Sequence, residues 1–314
     1  MIIRLFDWRD LPALIRYRDH GVYFDNSLVM TRGSFLVPAG ALFSYFAPAT
    51  GIFTYLCSNN VNPGQPIIGQ MRHTASSAYT RLTYLAPDLA LDSDALQNLL
   101  EHMFVQAGER GAFYLVAEVD EQSVAFESLR QAGLAIYARQ RVWRLESEPT
   151  GETLPTPWRE CTQEDIFAVR SLYNDLVPGL VQQVEPSPPD QIHGTVYRQG
   201  EEVLAYIEFQ YGPRGIWIQP FVHPDAEQVS ARLSDLIKNM PIRRSRPVYI
   251  SVRSYQSWLE KAIEDLGAHP GPSQAVMVKH LVISKKVVRP FTLRTLEGRQ
   301  PEATAPMARS ESKR

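Results

Sequence analysis

The chain has 314 residues, a length that favours two domains of ordinary size over one. Its 44% apolar and 21% charged residues exclude a mostly disordered or collagen-like chain. A formal net charge of −2 excludes a surface that binds nucleic acid or anionic membrane as a polyelectrolyte; the one basic segment is the tail, where Lys285 to Arg314 carries eight basic and three acidic residues.

Met1 to Asp10 alternates apolar and charged residues and lacks the basic-then-apolar order of a signal peptide, which predicts a cytoplasmic protein. Gly33 to Met71 has no charged residue, yet Pro38, Gly40, Pro48 and Gly51 interrupt it, so no membrane span is expected. Strands follow at Gly51 to Cys57, Pro66 to Arg72 and Tyr79 to Leu85, rich in Ile, Tyr, Phe and Thr and separated by turn formers, as in an antiparallel meander. Ser93 to Ala107 sets Leu96, Leu99, Leu100, Met103 and Phe104 on one helical face. A strand over Ala112 to Val119, a helix from Gln122 to Gln131 stopped at Gly133, and a strand over Ile136 to Leu145 close the first half. Glu146 to Pro157, with three prolines, one glycine and no apolar period, reads as a linker. The second half has strands at Gly194 to Tyr197, Glu202 to Gln210, Gly215 to Val222, Pro247 to Val252 and Ala275 to Leu281.

The halves repeat one another. Val116-Ala117-Glu118-Val119, Gln122, Gly133 and Gln140-Arg141-Val142 match Ile250-Ser251-Val252-Arg253, Gln256, Gly267 and Gln274-Ala275-Val276 at a constant offset of 134. Tyr84 to Asp88 matches Phe221 to Asp225 at 137, and Arg4 to Asp10 matches Arg159 to Asp165 at 155. The expected organisation is an N-terminal domain over 1–146, a linker over 147–156, a C-terminal domain over 157–286 and a disordered basic tail over 290–314. The fold class is α/β, a mixed α+β sheet in two tandem copies.

On these blocks each half resembles the GCN5-related N-acetyltransferase (GNAT) superfamily. Phe221-Val222-His223-Pro224-Asp225 looks like the end of the family's fourth strand, and Val203 to Ile207 and Ile67 to Gln70 look like its third. Val119 to Gly133 and Arg253 to Gly267 look like its fifth strand and fourth helix. The resemblance covers about 1–146 and 157–284. It implies an acyl-CoA N-acyltransferase fold with acetyl-CoA entering where the fourth and fifth strands splay, beside Leu85 and Ala86 or Val222 and His223. The family's pyrophosphate loop offers bare backbone amides, a basic residue and two glycines. Here the matching Pro87 to Ser93 and Pro224 to Ser230 have no glycine, no Arg or Lys, and two acids each: Asp88, Asp92, Asp225 and Glu227. An aspartate at a helix start is expected to cap it. The family's general-acid tyrosine is replaced by Leu129 and Ile263, and its asparagine by Gln122 and Gln256.

A transfer of this kind needs a base for the acceptor amine, and Glu118 and Glu208 are the best-placed carboxylates. His73, Tyr84 and His223 sit near strand ends that would line a cleft. No HxxxH, HExxH or GxSxG occurs, and Cys57 and Cys161 have no activating context, so no metal and no nucleophilic hydrolase are expected. The resemblance therefore implies a tandem GNAT-like protein whose acetyltransferase activity is weakened or lost, with weak acetyl-CoA binding and a small-molecule or protein amine as acceptor if active. The alternative is a non-catalytic acyl-CoA sensor or protein-interaction module.

Overall fold

The structure is a computed structural model describing residues 1–17, 19–34, 39–42, 50–59, 62–74, 77–185, 194–240 and 246–282. The expected disordered tail over 290–314 lies outside them. Met1–Ser284 forms one compact unit. No helix among the described residues is long and apolar enough to cross a membrane.

Each half opens with the same small device. Arg4 forks onto Asp10 with two 2.6 Å bonds, and Arg159 onto Asp165 at 2.7 and 2.6 Å, each carboxylate also accepting the amide three residues upstream, from Asp7 at 2.8 Å and Thr162 at 3.0 Å. This bidentate clamp fixes the turn from the short strands β1 (Ile2–Leu5) and β8 (Arg159–Glu160) into the first helices of each half. In the first half these are α1 (Leu11–Arg16) and α2 (Asn26–Arg32), with β2 (Val22–Tyr23) between them. In the second they are α5 (Ile166–Leu176) and α6 (Gly179–Val184).

The meanders form as their β-branched and aromatic content dictates: β3 (Ile52–Asn59), β4 (Asn62–His73) and β5 (Tyr79–Ala86), then β9 (Gly194–Gln199), β10 (Glu202–Tyr211) and β11 (Ile216–Val222). Helix α3 (Asp94–Glu109) buries Leu96, Leu99, Leu100, Met103 and Phe104, the stripe the sequence sets on one face. β6 (Tyr114–Asp120), α4 (Val124–Gln131) and β7 (Ala135–Leu145) follow, with Gly133 at φ 82 supplying the left-handed stop. Their counterparts are α7 (Val229–Lys238), β12 (Val248–Arg253), α8 (Leu259–Glu264) and β13 (His269–His280).

One continuous sheet results, in the order β1-β3-β4-β5-β6-β13-β7-β12-β11-β10-β9-β8, with β2 on β5. The order reads the same from both ends once each strand is replaced by its repeat partner. Its centre is an exchange: β6 pairs with β13, and β12 pairs with β7, so each half is closed by the other's last strand. The two exchanged strands pair with each other, and Gln140 Nε2 donates to its repeat partner Gln274 Oε1 at 3.1 Å. Helices α3, α4, α7 and α8 cover one face; α1, α2, α5 and α6 cover the other. The linker is docked: Thr150 N donates to Leu266 O at 2.9 Å, Leu154 N to Ala231 O at 3.2 Å, and Thr156 N to Asp235 Oδ2 at 3.1 Å.

Candidate active site

In each half a parallel pair opens after three residues. β5 and β6 are in register at Tyr79↔Tyr114, Thr80↔Leu115 and Arg81↔Val116; β11 and β12 at Ile216↔Val248, Trp217↔Tyr249 and Ile218↔Ile250. Beyond those pairs the strands splay, and their inner backbone groups need other partners.

In the first half the chain itself supplies them. β2 lies antiparallel to β5 through Val22↔Leu85 and Tyr23↔Tyr84. Phe24 then spans the gap, its N–H donating to Thr83 O at 3.1 Å and its carbonyl accepting from Glu118 N at 2.9 Å. The ring of Phe24 is 1% exposed and packs in the core with α3. Gly21 makes the approach feasible, since a Cβ there would lie 2.1 Å from the Tyr84 ring. Buried Asp25 caps α2 through Leu28 N at 3.1 Å and pairs with Arg72 at 3.2 Å.

In the second half one side chain supplies partners to β11. Gln256, 1% exposed, accepts from Val222 N at 3.0 Å and donates to Pro220 O at 3.1 Å. Its repeat partner Gln122 is exposed.

The structure gives each candidate residue a place. Glu118 is 5% exposed; its Oε2 accepts from Asn26 N at 3.0 Å and Asn26 Nδ2 at 2.8 Å, and its Oε1 meets Arg81 at 3.3 Å. Three of its roughly four acceptor sites are thus engaged, two by the inserted segment and one by Arg81. Glu208 is exposed, and both glutamates line one cavity of about 90 Å³ with Arg81, Gln140, Gln219 and Arg253. Leu85 and Ala86 are buried, Leu85 facing Val22. Val222 N is taken by Gln256, and His223 N donates to Leu204 O at 2.8 Å. His73 Nδ1 lies 3.0 Å from Thr80 Oγ1, and the Tyr84 hydroxyl donates to Tyr17 O at 2.5 Å, so both serve as internal hydrogen-bonding residues. Burial pushes the Cys161 thiol up to about 11 and raises that of Cys57, so neither is a ready thiolate.

The acidic loops do not cap as expected. Ser93 caps α3 by accepting from Leu96 N at 3.3 Å, because it is the residue before the first helical turn; Asp88 instead accepts from its neighbour Leu89 N at 2.8 Å. α7 begins after Gln228 in the left-handed conformation with no side-chain cap. Beside Pro87 to Ser93 lies a cavity of about 510 Å³, which Arg16, Tyr17 and His20 also line. The space beside the start of α7 is about 10 Å³.

No known family's sequence pattern matches the chain, and no curated protein sequence does. Solved structures do match. A GCN5-related N-acetyltransferase from Sphaerobacter thermophilus aligns with 89% of this chain and 95% of its own at 15% identity and a TM-score of 0.56. A tandem GNAT protein from the clavulanic acid biosynthesis pathway, solved without acetyl-CoA, aligns with 90% and 99% at 13% identity and a TM-score of 0.51. The chain has the GNAT fold, in tandem.

Within that fold, sequence reasoning located both splays but missed what fills them. Phe24 and Asn26 precede the recognisable strands and carry no motif. Gln256 was visible as a replaced asparagine, but its burial was not. Arg81 and Arg253 were legible only as single charges in otherwise apolar strands. Among the described residues no group of three or more His, Cys, Asp or Glu could hold a metal ion.

Proposed function

We propose that this tandem GNAT-fold protein has weakened or lost acetyl transfer because the protein occupies its own cofactor seats, and that 1–146 and 157–286 are the two ancestral copies. One observation carries the reading: Phe24 bonds to both β5 and β6 where the pantetheine of acetyl-CoA would pair with strand backbone in a GNAT enzyme. In the second half the Gln256 amide takes the β11 side alone, at Val222 N and Pro220 O. The engaged Glu118, the missing general-acid tyrosine and the acid-bearing loops point the same way. Any residual activity would act on a small-molecule or protein amine, and two free buried cysteines suit a reducing cytoplasm.

The acyl-CoA sensor is the second reading, favoured by the 510 Å³ cavity beside Pro87 to Ser93. It requires the Val22–Asn26 segment to leave the splay when ligand arrives. Calorimetric titration of the full-length chain with acetyl-CoA tests both. Binding no tighter than about 100 µM, a free energy of about −5.5 kcal/mol, is expected. Micromolar binding would overturn the first reading and leave the sensor.

A further inference from the structure

The cavity that Glu118 and Glu208 share contains a charge the rest of the protein leaves incompletely used. Arg253 is 4% exposed and lines it. Its NH2 meets Glu185 at 2.7 Å, but Nε and NH1, both buried, have no hydrogen-bond partner among the described residues. Glu185 is itself shared with the Tyr137 hydroxyl at 2.5 Å. A buried guanidinium with two idle donors is an expensive arrangement, and native proteins resolve such groups with water, an ion or a ligand. Arg81, on the same wall, makes one 3.3 Å contact to Glu118.

The wall therefore offers two guanidinium groups, which call for an oxygen anion. The Glu208 carboxylate on the exposed rim and the buried Trp217 ring offer the opposite chemistry, both suited to an ammonium group. The volume of about 90 Å³ equals about three waters, which limits a ligand to a few heavy atoms. We propose that this cavity, at the junction of the two halves, binds a small α-amino carboxylate, its carboxylate toward Arg253 and Arg81 and its ammonium toward Glu208. Residues from β5, β6, β10 and β12 build the site, so the strand exchange assembles it from both copies. Its existence does not depend on whether either splay admits acetyl-CoA.

Glycine, acetate and methylammonium titrated into the full-length chain by calorimetry test the proposal. Glycine is expected to bind saturably, acetate about tenfold more weakly, and methylammonium not at all. Arg253→Lys keeps a cation for Glu185 but removes the idle donors, and should weaken glycine binding by about tenfold or more with the circular dichroism unchanged. If that variant does not fold, Arg81→Gln, at a partly exposed position, should give the same loss. Glu208→Gln at the exposed rim should leave folding intact and bring glycine and acetate to equal affinity. Two results would overturn the proposal: no saturable binding of glycine up to about 10 mM by the folded protein, a sign that the cavity holds water alone, or glycine affinity unchanged in the Arg253 or Arg81 variant together with Glu208→Gln.

Discussion

The two splays occupy equivalent places in the two halves and are closed by different means. In the first, the backbone of three consecutive residues, Val22 to Phe24, acts as an extra strand, anchored by the Phe24 ring, the Asp25–Arg72 pair and the Asn26–Glu118 bonds. In the second, a single glutamine amide bridges the gap from the adjoining 3-10 turn. Backbone insertion satisfies the strand edges and adds a large apolar side chain to the core; the side-chain bridge satisfies one donor and one acceptor and adds little apolar area. The two splays are thus closed through very different energies.

The largest effect should come from separating the copies. Residues 1–146 expressed alone would leave β6 without β13 and β7 without both β13 and β12, exposing one edge of β6 and both edges of β7. The fragment is expected to aggregate or to dimerise by pairing those edges; a soluble monomer that melts cooperatively would show that each copy closes on itself. The next effect compares the two closures directly. Phe24→Ala should cost about 3–5 kcal/mol in urea denaturation, as for other buried phenylalanines. Gln256→Leu, of similar size, orphans Val222 N and should cost about 1–3 kcal/mol, whereas Gln122→Leu at the exposed repeat position should stay within about 0.5 kcal/mol. Equal costs at Gln256 and Gln122 would mean that the glutamine bridge contributes nothing.

What was legible in the sequence was local. Hydrophobic periodicity located α3 and most strands within a few residues, and the repeat offset anticipated the tandem fold, since both depend on neighbours along the chain. The exchange of β7 and β13 was not legible: a closing strand has the same alternation whichever β-edge it joins. Glu118, expected near the end of the fifth strand, and Glu208, expected on the third strand of the second half, share a cavity, but the partner that engages Glu118, Asn26, is 92 residues away. Nothing in a run such as Val22-Tyr23-Phe24-Asp25-Asn26 distinguishes a strand that joins a meander from one that fills a gap.

The smallest expected difference lies in the clamps that open each half, and it depends on pH. Burial alone would raise the pKa of Asp165, but bonds from Arg159 and Thr162 outweigh it and bring it down to about 2. Asp10 is lowered too, by Arg4 and the Asp7 amide against its own burial. Asp165 is fully buried and has a second cation, Arg198 at 3.1 Å, whereas Asp10 retains some exposure and pairs with Arg4. A carboxyl whose folded pKa is depressed contributes stability that is fully present above the unfolded value of about 3.9 and is lost as pH falls toward 2. With Arg159 partly exposed, that contribution is about 1–2 kcal/mol at pH 7. Asp165→Asn should therefore lower the urea midpoint at pH 7 more than Asp10→Asn does. The gap between Asp165→Asn and the parent should narrow steadily from about pH 5 down to the acid limit of folding. A gap that stays constant across that range would mean that the amide costs stability through shape rather than through the lost charge.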